Sequence, residues 1–176
     1  HTFIRRFETT ARATGRAIDA GRESGAPVPP LAGLAVSIKD LFDIKGQVTR
    51  AGSRALEENC TPAEDDATVV ARLRRAGFIV IGRTNMTEFA YSGIGINPHY
   101  GTPKSAFNRS VGHVPGGSSS GAAVSVADRM AHGALGTDTG GSCRIPAAFN
   151  GIVGFKPTQA RVPLDGGVPL SSSLDS

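Results

Sequence analysis

Apolar and polar residues along this chain change period several times, and the changes outline a set of elements. Between Thr2 and Arg22, Phe3, Ile4, Phe7 and Ala11 recur at helical spacing, with Arg, Glu and Asp on the other positions. This predicts a helix over 2–22. Gly21 and Gly25 end it, and Pro27, Pro29 and Pro30 make a linker. The apolar run Leu34 to Ile38 predicts a short strand with Lys39 at its end. Asp66 to Ala76 predicts a helix with Val69, Val70 and Leu73 on one side. Gly77 breaks it, and Phe78 to Gly82 reads as a buried strand.

The pattern continues with a predicted helix over Thr84 to Tyr91, where Glu88 stands at capping-box distance from Asn85. Asn97 to Arg109, rich in Asn, Pro and Gly, reads as loop. Ala122 to Ala127 predicts a closely packed helix of small residues. Ala134 to Asp138 predicts a strand, Ile145 to Phe149 a short helical turn, and Ile152 to Phe155 a further strand. Strands alternating with helices predict an α/β sheet with helices on its faces.

Composition narrows the class. The 176 residues suffice for one domain with a core, and 23 glycines with few aromatics and no Trp favour a loop-rich domain with tight turns. The net charge is +4, but the arginines are scattered and form no basic run interleaved with aromatics. No direct nucleic-acid binding is therefore expected. Cys60 and Cys143 have no metal-ligand spacing, so no metal or disulfide framework is expected, and a reducing, cytoplasmic setting is. No apolar run approaches the ~20 residues of a membrane span. The chain opens on His1 and stops within VPLSSSLDS, which reads as part of a longer protein.

The candidate chemistry lies in two Gly/Ser clusters and one lysine. In the tetrad Thr139-Gly140-Gly141-Ser142, two successive residues lack Cβ, so backbone N–H groups can approach a ligand closely. Converging amides suit an oxyanion hole. The same tetrad also suits a turn joining strand to helix. The cluster Pro115 to Ala123 holds a G-x-S-x-G match centred on Ser119, but such an elbow needs an acid and a histidine, and only His132 follows nearby. No G-K-[ST] completes a phosphate loop. Lys39, at the end of a short strand, reads on its own as a residue reaching for solvent, and only its combination with the two clusters points to chemistry.

Taken together, GGSSSGAA, GTDTGGSCRIPAAFNGIVGFKPT, VSIKDLFDIKG and GRTNMTEFAYSG resemble the amidase signature family of serine amidohydrolases. The resemblance runs from about Leu31 to Ser176, and the interval between Ser118 and Ser142 is the one the family shows between relay and nucleophile. It implies a mixed sheet flanked by helices on both faces, incomplete here. Residues 1–30 would form an N-terminal helix and linker, and 31–176 the N-terminal part of a catalytic domain. It further implies Ser142 as nucleophile, Ser118 as relay behind a cis peptide after Gly117, and Lys39 as base. Thr139, Gly140, Gly141 and Ser142 would supply the oxyanion amides, and Asp138 and Arg144 would brace the loop. Ser120, Arg109 and Cys143 depart from the residues the family commonly has at those places.

The resemblance implies hydrolysis of a carboxamide through an acyl-serine, with a small-molecule amide as partner and no cofactor. Two alternatives stand beside it. One is the glutaminase component of a glutamyl-tRNA amidotransferase, which would work with a partner subunit. The other is a non-catalytic scaffold. A homodimer is compatible with each. The proposed base sets a physical demand: lowering a lysine from ~10.4 to ~7 costs about 4.6 kcal/mol against its charged form, which burial can supply. Asp40 and Asp43 must then point away from the ammonium.

Overall fold

The computed structural model describes residues 1–176 as a four-stranded mixed sheet with helices on both faces. In chain order the elements are β1 (Phe3–Arg6), α1 (Glu8–Glu23), β2 (Ala35–Lys39), α2 (Arg54–Asn59), α3 (Thr68–Arg75), β3 (Ile79–Thr84), a 3-10 turn (Glu88–Ala90), α4 (Ser120–Ala127), β4 (Gly133–Leu135) and α5 (Arg144–Asn150). The sheet order is β1-β3-β2-β4. β2 runs parallel to β3 and to β4, and β1 runs antiparallel to β3.

β2 is covered on both sides, as the unbroken run AVSIK requires. On one face Val36 and Ile38 pack with Val80 of β3 and Val70 of α3 in the main apolar core, which also takes in Leu41, Phe42, Ile44 and Met86. On the other face α4 lies close, because its residues are small. Ser37 Oγ and Ser125 Oγ meet at 2.8 Å, and a Cβ at Gly121 would strike Thr2 O and Asn85 N. The turn after α3 depends on Gly77, whose φ of +97° suits glycine and whose missing Cβ leaves room for Ala32. The β2–β3 register slips after Val36↔Val80, so Ser37 faces Gly82 and Lys39 faces Thr84.

Several expected elements differ. The predicted helix over 2–22 is a strand followed by a helix. Residues 3–6 pair with the free edge of β3, and Phe7 N donates to Ile81 O at 2.9 Å. Backbone pairing along an open edge outweighs the helical spacing of Phe3, Ile4 and Phe7. The leading segment is thus built into the sheet.

The predicted helix over 84–91 shrinks to one 3-10 turn. Phe89 and Ala90 have φ of 48° and 60°, outside helical space. The capping-box pair is also engaged elsewhere. Asn85 Nδ2 donates to His1 O and Gly101 O, and Glu88 meets His99 Nε2 at 2.8 Å. Residues 152–155 are not a strand. They have no strand partner, and Val153 and Phe155 stand exposed. The strand predicted for 134–138 covers Gly133–Leu135 only. α2 has no counterpart in the predicted pattern. It is capped by Ser53, whose Oγ accepts from Ala55 N at 3.2 Å.

Candidate active site

β2 ends by delivering Lys39 into the interior, with its side chain wholly buried. Its Nζ donates to Ser118 Oγ and to Thr137 Oγ1, both at 2.7 Å. Both partners are hydroxyls. Burial lowers the Lys39 pKa from 10.5 to about 7, outweighing the upward influence of Cys143, Asp138 and Asp175. The two nearest carboxylates in sequence bond elsewhere. Asp40 Oδ1 accepts from Arg83 Nε at 2.6 Å and its Oδ2 from Gly52 N at 3.1 Å. Asp43 accepts from Thr49 Oγ1 at 2.6 Å.

Ser118 sits in the buried segment leading into α4, after a cis peptide bond between Gly117 and Ser118. Gly117 N donates to Gly93 O at 2.8 Å, and Thr87 N donates to Ser118 O at 3.1 Å. The two Gly/Ser clusters are tied directly, since Ser119 N donates to Ser142 O at 3.2 Å. Ser119 itself is a backbone clamp. Its Oγ donates to Thr137 O at 3.3 Å and accepts from Thr137 N at 3.4 Å. His132 Nδ1 accepts from Ala35 N at 3.0 Å. The G-x-S-x-G match at Ser119 therefore lacks a free hydroxyl and a free histidine.

Ser142 is 7% exposed, and its hydroxyl makes no hydrogen bond within the chain. The link from Lys39 to Ser118 is formed, and the link from Ser118 to Ser142 is not. Together with Thr139, Gly140, Tyr91, Ile145 and Leu170, Ser142 lines a cleft of about 390 Å³. The loop before it is organised by Asp138, which is fully buried. Its carboxylate accepts from Arg144 Nε and Nη2 at 2.9 Å each, and from the N–H groups of Gly141 (2.8 Å), Cys143 (3.1 Å) and Arg144 (3.3 Å).

Burial alone would raise the Asp138 pKa. The Arg144 side chain and the amides of Cys143 and Arg144 outweigh it and hold the group at about 2. The bracing role read for Asp138 and Arg144 thus has a geometry. The same contacts correct one expectation: the Gly141 amide is committed to Asp138. The amides of Thr139, Gly140 and Ser142 have no partner within the chain. Burial pushes the Cys143 thiol up, which disfavours a thiolate beside Ser142.

Two residues of this region escape a reading of the sequence. Thr137, the second partner of Lys39, falls inside a predicted strand, where nothing but its hydroxyl marks it. Asp175 takes the Thr139 hydroxyl at 2.5 Å, and no pattern near the end of the chain points to it. No group of three His, Cys, Asp or Glu gathers as metal ligands, and no helix is long and apolar enough to cross a membrane.

Comparison with known proteins places the chain in a family. The profile of the Amidase family matches residues 1–176. The chain is 47% identical over 167 residues to a 2-amino-5-chloromuconic acid deaminase of Comamonas testosteroni, covering 94% of this chain and 36% of that one. It is 51% identical over 146 residues to the A subunit of the glutamyl-tRNA(Gln) amidotransferase of Syntrophobacter fumaroxidans, covering 83% and 29%. A solved amidase structure superposes with a TM-score of 0.90 at 44% identity, covering 98% of this chain and 39% of that one. The chain spans about a third of the length of the curated relatives it matches.

Proposed function

The chain belongs to the Amidase family, and from that membership and the surroundings of Lys39 we propose that the protein hydrolyses a carboxamide through an acyl-Ser142 intermediate. One observation carries the reading. A fully buried lysine, with a pKa near 7, hydrogen-bonds only to hydroxyl groups. A hydroxyl can accept from an ammonium and donate to an amine, so the same contact serves both protonation states. That is what a proton relay requires.

In this mechanism neutral Lys39 takes the Ser118 proton while Ser118 takes the Ser142 proton. Ser142 Oγ bonds to the carbonyl carbon, and the carbonyl electron pair moves to oxygen. The free amides of Thr139, Gly140 and Ser142 are available to that oxyanion. Collapse re-forms the carbonyl and breaks the C–N bond. The leaving nitrogen takes the proton back along the same path, and water then repeats the sequence to release the acid. The Ser118–Ser142 contact must close when substrate binds, and such contacts tighten in the Michaelis complex. The partner is accordingly a small-molecule amide.

Ser142→Ala in the intact enzyme is expected to abolish both amide hydrolysis and labelling by a fluorophosphonate. Retained turnover would overturn the assignment. A second reading has its own support, since the identity to the amidotransferase component is as high as that to the deaminase. In that reading the same triad hydrolyses glutamine for a partner subunit. Release of ammonia from glutamine that depends on an added partner favours it, whereas release from simple carboxamides by the enzyme alone favours the first.

A further inference from the structure

The last residues fold back over the loop that precedes Ser142. Asp138 N donates to Ser176 O at 2.9 Å. Asp175, 8% exposed, divides its carboxylate between two walls of the cleft. Oδ1 takes the Thr139 hydroxyl at 2.5 Å, and Oδ2 takes the N–H groups of Leu170 (2.9 Å) and Ser171 (3.0 Å). Leu170, Thr139, Gly140 and Ser142 line the same cleft.

We propose that Asp175 is a positioning residue that acts through Thr139, holding the Thr139 and Gly140 amides at the angle an acyl oxygen meets. The inference rests on the reading of Ser142 as nucleophile. Its physical basis is the shape of the loop. The stretch Thr139-Gly140-Gly141 has two residues without Cβ, and Gly140 is exposed, so the backbone on that side has few contacts of its own. Asp138 fixes the loop from the Gly141 side. Without a second tie, the Thr139–Gly140 peptide is free to rotate about its neighbours and turn its N–H groups from the cleft. The Thr139 hydroxyl is that tie. A charge-assisted hydrogen bond to a carboxylate, itself anchored by two amides, makes it a stiff one. Oxyanion stabilisation depends on donors already aimed at the oxygen, so a loosened loop costs rate before it costs fold.

The test uses the intact enzyme and a fluorophosphonate, whose phosphoryl oxygen meets the same amides when Ser142 attacks phosphorus and fluoride leaves. The readout is the second-order labelling rate. Thr139→Val keeps the branched shape and leaves Asp175 bonded to Leu170 and Ser171, so it is the primary variant. It is expected to slow labelling by about 10- to 100-fold. Thr139→Ser, which keeps the hydroxyl, restores the rate. Measured well above the Lys39 pKa, where loss of the Asp175 charge no longer changes how much of that lysine is neutral, Asp175→Asn slows labelling similarly, and the double variant is no slower than the worse single one, because both remove one link. Should Asp175→Asn fail to fold, the Val and Ser variants still decide.

Thr139→Val labelling at the wild-type rate overturns the proposal, and so does a lowered melting temperature with an unchanged labelling rate. Labelling or turnover that survives Ser142→Ala refutes instead the nucleophile assignment, whatever Thr139→Val does.

Discussion

Two cations lie fully buried side by side in the sheet, and they differ in the company they keep. Lys39 of β2 faces Thr84 of β3, and the residue before Thr84 is Arg83. Arg83 gives its Nε to the Asp40 carboxylate at 2.6 Å and its Nη2 to Asp40 O and Phe42 O. Lys39 gives its ammonium to Ser118 and Thr137, two neutral hydroxyls. Burial pushes the Arg83 pKa down and that of Asp40 up, against the attraction each exerts on the other. A carboxylate can only accept, so it holds its partner charged. Hydroxyls are indifferent, and desolvation then brings lysine to about 7. Equal burial gives a structural pin in one case and an amine that titrates near neutrality in the other. The partner makes the difference.

The largest effect expected from breaking this contrast is on catalysis. Lys39→Met removes the proposed base, and Lys39→Arg keeps a cation that does not give up its proton. Both should lower amide turnover by roughly 10⁴-fold, the scale seen when one member of a nucleophile unit is lost. Single-turnover assays on the intact enzyme measure it. An active Lys39→Arg variant would mean that the buried charge matters and the proton does not.

Stability should move in opposite directions at the two sites. Arg83→Met leaves Asp40 buried without its partner and is expected to cost about 3–5 kcal/mol in urea denaturation. Lys39→Met is expected to stabilise. The folded lysine has the lower pKa, about 7 against 10.5, so it binds fewer protons than the unfolded chain between those values. Wild-type stability therefore rises with pH across that window, and at pH 7 the penalty is at most about 4 kcal/mol. The advantage of Lys39→Met should shrink as pH climbs from 7 toward 10.5. Loss of stability in both variants would dissolve the distinction.

The same value sets the rate profile. With Lys39 neutral in the active form, kcat/KM should climb tenfold per pH unit on the acid side and bend near pH 7. A profile flat from pH 5 to 8 would remove Lys39 from the base role.

How much of this contrast is legible in the sequence follows from the range of the forces. The strands β2 and β3, the helix α3 and the two Gly/Ser clusters are readable because apolar runs and glycine breaks are local signals, whereas the parallel pairing of β2 with β3 is seen only in the structure. The resemblance places Lys39, Ser118 and Ser142 in one unit, and the structure brings Lys39 to Ser118 while leaving Ser142 unlinked. What fails is non-local. Nothing within residues 3–6 reveals that β3 has an open edge to pair with. Nothing around Asn85 shows that its amide is occupied by His1 O and Gly101 O. Arg83 reads as a charge at a strand end, and its burial depends on Asp40, which stands beside Lys39 in sequence and turns away from it in space. Thr137 and Asp175 matter through one hydroxyl and one carboxylate, and neither leaves a periodicity.

The smallest expected effect concerns Asp138, which tests why a nearby carboxylate does not convert Lys39 into a second Arg83. Asp138 is close enough to favour the charged lysine, yet its oxygens are taken by Arg144 and three backbone amides. Its folded pKa of about 2 lies below the usual 3.8, so its contribution to stability is present above 3.8 and is lost as pH falls through about 2. That drop corresponds to about 2 kcal/mol. Asp138→Asn should therefore unfold at lower urea than wild type at pH 6, and the gap should close by pH 2. It should also move the acid bend of kcat/KM to lower pH, because a charge that favours protonated Lys39 is gone. Parallel acid unfolding of both proteins would mean that Arg144 and the loop amides do not hold this carboxylate, leaving it free to pair with Lys39 and the two buried cations no longer different in kind.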